Sequence, residues 1–122
     1  MARTASLVQG CIMATDLPDS PTLADLQRYV HRLEALHGWL DTDVVYNCFL
    51  MGEEVGELHR AIRDHRSVEK KSGDTAASRA HVAEEIVDVL NYLLAIANRL
   101  DLDLEEAFRR KNARNERRRW DE

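Results

Sequence analysis

The sequence predicts an all-α domain, a bundle of four helices around an antiparallel central pair, and three observations carry that expectation. Apolar residues recur at steps of three and four along several long stretches. Such steps place them on one face of a 3.6-residue helix. No stretch alternates apolar and polar residues with period two, so no half-buried strand is indicated. Proline and glycine are scarce, with two and five in 122 residues, which leaves room for long uninterrupted helices.

The elements follow in order. Residues 1–19 show no sustained period and contain Pro18. They read as a flexible leader, with Met13 as an alternative initiator, ahead of a domain over residues 20–122. The apolar run before Cys11 is too short for a signal peptide. Ser20-Pro21 supplies an N-cap and a proline at the first helical position. A first helix is expected from Thr22 to His37, with Leu23, Leu26, Val30, Leu33 and Leu36 on one face, and Gly38 closing it.

A second helix is expected from Thr42 to His65. Its seam is Val44, Cys48, Met51, Val55, Leu58 and Ile62, at steps of 4, 3, 4, 3 and 4. Cys48 on that seam reads as a buried thiol. A polar stretch, Ser67–Thr75, reads as a loop. A third helix, Ala76–Arg99, repeats the seam with Val82, Ile86, Val89, Leu93, Ile96 and Leu100. Leu90, Leu94 and Ala97 widen its apolar face, which marks it as the most buried helix. A fourth is expected from Leu104 to Arg118.

Composition and charge narrow the function. The net charge is −5. The last fourteen residues, Arg109–Glu122, carry +4, which leaves −9 on the rest. An acidic body suits a polyanion handled through bound cations, with a few Arg and Lys contacts. It excludes a general nucleic-acid-binding surface, where the whole domain is usually basic. No run approaches the roughly 18 apolar residues of a membrane span. Two cysteines make no disulfide framework, and the expected compartment is the cytoplasm.

Two local patterns carry the chemistry. The second helix contains Glu53-Glu54-Val55-Gly56-Glu57, and the third contains Glu84-Glu85-Ile86-Val87-Asp88. Carboxylates three residues apart share a helix face, so Glu54 pairs with Glu57, and Glu85 with Asp88. The midpoint between the two pairs falls at Lys71, inside the expected loop. An antiparallel hairpin therefore sets both pairs at one height. Four carboxylates at one level repel unless cations neutralise them, and hard oxygen ligands suit Mg²⁺ or Mn²⁺. A solvated acidic flank is the plainer alternative. Against it, Tyr46, Phe49, Leu50 and Ala61 share the carboxylate side of the second helix and call for cover. Mid-helix Gly56 costs about 1 kcal/mol relative to Ala, which suggests a close approach there. A ferritin-like di-iron bundle is excluded, because it requires Glu-x-x-His pairs.

The ordered set resembles the all-α nucleotide pyrophosphohydrolases of the MazG, dimeric dUTPase and dCTPase superfamily. The resemblance rests on Glu54-x-x-Glu57 and Glu85-x-x-Asp88, on His37-Gly38-Trp39 upstream, and on Lys111-x-x-x-Asn115-x-x-Arg118 downstream. It spans Thr22 to Trp120. It implies a MazG-like bundle and cleavage of a nucleoside triphosphate between its α- and β-phosphates. It further implies that Glu54, Glu57, Glu85 and Asp88 hold Mg²⁺ and that Glu53 activates water. Lys111 and Arg118 would neutralise phosphate, and Asn115 would donate a hydrogen bond. Asn91, one turn beyond Asp88, would touch sugar or base. Trp39 would stack on a base, or else serve as a core or interface residue. Members of the superfamily assemble as dimers or tetramers, so a homodimer or homotetramer is expected. The histidines read as incidental, with His81 the nearest to the acidic cluster. Canonical deoxynucleotides, dUTP, dCTP and damaged nucleotides remain open as substrates. The rival reading is a non-catalytic helical interaction module that retains the fold.

Overall fold

The structure is a computed structural model that describes residues 17–118. Most of the expected leader, Cys11, Met13 and Trp120 lie outside the described residues. Four α-helices follow one another: α1 (Leu23–His37), α2 (Val44–Lys70), α3 (Ala76–Arg99) and α4 (Leu104–Arg117). Among the described residues there is no strand, and the fold is all-α. No described helix is long and apolar enough to cross a membrane. The described residues form two compact units, 42–96 and 17–41 with 97–118.

Helix α1 starts two residues later than the Ser20-Pro21 pair suggests. Thr22 is the N-cap. Its hydroxyl accepts from the Asp25 amide at 3.1 Å, and its own amide donates to Asp25 Oδ2 at 2.9 Å. That reciprocal box satisfies two amide donors, which a cap at Ser20 does not. At the other end Gly38 adopts φ 74°. Its amide donates to Ala35 O and the Trp39 amide donates to Glu34 O, the paired bonds of a Schellman end.

The same device closes α2 and α3 without glycine. Ser72 has φ 55° and Asp101 has φ 53°. Around Ser72 the bonds are Ser72 N to Glu69 O and Gly73 N to Val68 O. Around Asp101 they are Asp101 N to Asn98 O and Leu102 N to Ala97 O. Helix α2 thus runs five residues past His65, into the expected loop. His65 explains the extension. One ring nitrogen, Nδ1, lies 2.8 Å from Ser78 Oγ, and the other, Nε2, lies 3.1 Å from Glu69 Oε1. The imidazole thereby ties the last turns of α2 to the first turn of α3.

Within the 42–96 unit, α2 and α3 form an antiparallel hairpin. Its inner face differs from the apolar seam read off the sequence. On α2 the sheltered row is Asn47, Met51, Glu54, Leu58, Ala61, His65 and Val68. On α3 it is Ser78, Val82, Glu85, Val89, Tyr92 and Ile96. Both rows keep steps of three and four but take in polar members. The seam residues Cys48, Ile62, Ile86, Leu93 and Leu100 are exposed. Cys48 is therefore not a buried thiol, because the helix turns its neighbour Asn47 inward instead. Helix α3 is the most buried helix, contributing Leu94, Ala95, Ala97 and Glu85.

In the other unit α1 packs against α4. Val30 lies at the centre of α1's inner face. Beside it Glu34 is buried and receives two bonds from Arg99, at 3.0 and 2.6 Å. Arg99 also donates to the Trp39 carbonyl at 2.6 Å. Gln27 binds Asn98 Oδ1 and Leu102 O through Nε2, and accepts from the Leu104 amide. Two polar side chains of α1 thus fix the α3–α4 turn and the start of α4.

Candidate metal centre

The hairpin places Glu54 on the inner row of α2 and Glu85 on the inner row of α3, with Asp88 one turn further along α3. One carboxylate oxygen from each of these three lies within 4.8 Å of the others. This follows from the helical repeat: Glu85 and Asp88 are three apart and share a face, and the antiparallel pairing brings Glu54 to their height. The three form an acidic triad that could hold a metal ion.

Electrostatics and burial both show a site under tension. Glu54 is pushed above the ordinary glutamate range, first by desolvation, then by the negative charges of Asp88 and Glu85, by the close Glu85 carboxyl, and by Glu57. Glu85 is only 9% exposed. Its Oε2 is buried and has no hydrogen-bond partner. A buried carboxylate oxygen without a donor is costly. A divalent cation held there would relieve both the orphaned oxygen and the mutual repulsion. The donor set is all oxygen, which fits Mg²⁺ or Mn²⁺ by ligand hardness.

The other expected site residues fall as follows. Glu57 is exposed one turn beyond Glu54, and its oxygens are not among the three that converge. Its charge still reaches Glu54. Glu53 is exposed on the same flank of α2. Asn91 is half-buried on α3, one turn past Asp88. Trp39, Lys111, Asn115 and Arg118 belong to the other unit. Trp39 is exposed and stacks on His37, with ring centroids 4.5 Å apart, so it is no core residue of the chain. On α4, Lys111 is exposed, and half-buried Asn115 donates to Asn112. Arg118 caps the helix, its amide donating to the Asn115 carbonyl.

One neighbour of the triad, Tyr92, escaped the sequence reading. Tyr92 stands one turn after Asp88. Its phenol is pushed up by burial first, then by Glu54, Glu53, Asp88 and Tyr46. Its position at i+4 from Asp88 was legible, but it resembles any half-buried aromatic of an apolar row. His81, expected as the histidine nearest the cluster, lies 3.9 Å from Glu84 Oε2 and 3.8 Å from Glu85 Oε1. A methyl group placed on Gly56 would meet nothing within 4 Å beyond the helix's own backbone, so among the described residues none makes the close approach expected there.

Comparison with known proteins gives the chain's family. The chain is 47% identical over 58 residues to YpjD, an uncharacterized protein of Bacillus subtilis (strain 168). The aligned stretch is 48% of this chain and 50% of the relative, so the match spans about half the length of each. The family model of the MazG nucleotide pyrophosphohydrolase domain matches residues 47–120, which include Glu54, Glu57, Glu85 and Asp88. That span is more than half of the sequence, and the chain belongs to the MazG nucleotide pyrophosphohydrolase family.

Proposed function

We propose that this protein hydrolyses a (deoxy)nucleoside triphosphate to the monophosphate and pyrophosphate with Mg²⁺, as housecleaning of the cytoplasmic nucleotide pool. The observation that carries the reading is the convergence of Glu54, Glu85 and Asp88 around a buried carboxylate oxygen that lacks a partner. Membership of the family supports the substrate class. Glu54, Glu85 and Asp88 would hold the cation, with Glu57 as the fourth ligand. Mn²⁺ is the alternative metal. When bound, the cation neutralises phosphate charge and lowers the pKa of a coordinated water.

The chain's own residues do the rest. Glu53, solvated beside the triad, accepts the proton of the attacking water. Water oxygen bonds to the α-phosphorus, and the bridging oxygen leaves with pyrophosphate. Asn91 offers its amide on the triad's helix to sugar or base. Lys111 and Arg118 neutralise phosphate charge, Asn115 donates to it, and exposed Trp39 offers a stacking face. A nucleic-acid polymer is a poor substrate for so acidic a body. A homodimer or homotetramer supplies the cover that the exposed apolar rows lack.

Chromatography of products from a nucleotide panel including dUTP and dCTP tests the reaction. Monophosphate with pyrophosphate is expected. Diphosphate with phosphate refutes the bond assignment. No turnover of any nucleotide favours a non-catalytic helical interaction module.

A further inference from the structure

We propose that His81 is a positioning residue for Glu85: its imidazole holds the outer oxygen of that carboxylate, leaving the buried Oε2 for the cation. This rests on the reading of Glu54, Glu85 and Asp88 as the cation site.

His81 precedes Glu85 by one helical turn, so the two side chains stack on one face of α3. Its Nε2 lies 3.8 Å from Glu85 Oε1, and its Nδ1 lies 3.9 Å from Glu84 Oε2. The ring therefore stands between two carboxylates and faces Oε1, the Glu85 oxygen opposite the buried one. The other oxygen, Oε2, is buried without a partner. These contacts are longer than formed hydrogen bonds. A small swing of the half-exposed ring shortens the one to Oε1. Repulsion from Glu54 and Asp88 drives the Glu85 side chain away from the triad, and a donor on its outer oxygen opposes that rotation. Metal-bound carboxylates generally need such support: removing an outer hydrogen-bond partner costs about 10–100-fold in metal affinity. A mere surface ion pair contributes little and leaves metal affinity unchanged.

The experiment titrates Mn²⁺ into the nucleotide-free full chain and follows free Mn²⁺ by electron paramagnetic resonance. All titrations are run at the same pH. Wild type, His81→Ala and His81→Gln are compared, with the melting temperature of each metal-free protein measured alongside. His81→Ala is expected to weaken Mn²⁺ binding about tenfold or more, with an unchanged metal-free melting temperature. His81→Gln keeps an N–H donor at similar reach and is expected to recover most of the affinity. Wild-type affinity in His81→Ala overturns the proposal. So does a loss of affinity matched by a loss of metal-free stability, which marks a structural role. So does failure of His81→Gln to recover affinity. Absence of Mn²⁺ binding by the wild type overturns the cation site itself, and the role of His81 falls with it.

Discussion

Single side chains show how charge is used in opposite ways at two sites of this protein. Asp25 is held below the ordinary aspartate range by the Thr22 amide first, then by the Thr22 hydroxyl and Arg28. A carboxyl with a lowered folded pKa stabilises the fold above its unfolded pKa, and that contribution is lost as pH falls through the folded value. Asp25→Asn should therefore flatten the acid limb of the melting-temperature profile, and an unchanged limb would remove the capping box from the account. Glu54 is the reverse case. Its raised pKa means the folded state binds more protons, so stability falls as pH climbs from the ordinary glutamate range through the raised value. Glu54→Gln removes the repelled charge. It should raise the metal-free melting temperature near neutral pH while abolishing the rise produced by millimolar Mg²⁺, as read by calorimetry. A variant that still responds to Mg²⁺ like wild type would place the cation elsewhere. For turnover, Glu54→Gln and Asp88→Asn should nearly eliminate activity. Glu53→Gln should lower kcat while leaving Mg²⁺ binding intact, because its role lies in the transition state.

Helix ends and one buried pair set the stability of the elements. Ser72 and Asp101 occupy left-handed positions, where a non-glycine residue costs roughly 1–2 kcal/mol. Ser72→Gly and Asp101→Gly should each recover about 1 kcal/mol in denaturant titrations, less whatever glycine adds to unfolded-chain entropy. A loss of stability at either would show that the local side-chain bonds outweigh the backbone strain. The Arg99–Glu34 pair is buried, at 11% and 9% side-chain exposure. Breaking such a pair from one side costs about 3–5 kcal/mol, because the remaining charge stays buried. Glu34→Ala should fall in that range, and the Trp39 carbonyl loses its donor's anchor as well. Gly56→Ala separates two states of α2. With nothing near the added methyl, the monomeric chain gains about 1 kcal/mol of helix propensity. A loss instead would show that a second chain covers that face.

For the whole molecule, the decisive question is what covers the hairpin. Phe49 is 69% exposed, Ile62 43% and Ile86 50%. A hairpin of two helices has no third layer to bury these residues, and large apolar patches on a lone chain are uncommon. Light scattering is expected to give a dimer or tetramer at micromolar concentration. A stable monomer there would contradict the proposed assembly.

Much of this protein was legible in its sequence. The all-α class, the start and end of α3 and the start of α4 follow from helical periodicity, which is local. So does the shared height of Glu54 with Glu85 and Asp88, because a short loop makes the hairpin register a matter of counting. The four-element motif also led to the family. The tertiary structure alone decided which row of each helix turned inward. An apolar seam and its neighbouring row differ by one residue step, and periodicity does not choose between them. Contact with the facing helix does. It turned Asn47, Glu54 and Glu85 in, and left Cys48, Ile62 and Ile86 out. The same contact extended α2 beyond His65, because the bond to Ser78 joins residues that only the folded hairpin brings together. The burial of Glu34 likewise depended on Arg99, a partner 65 residues away.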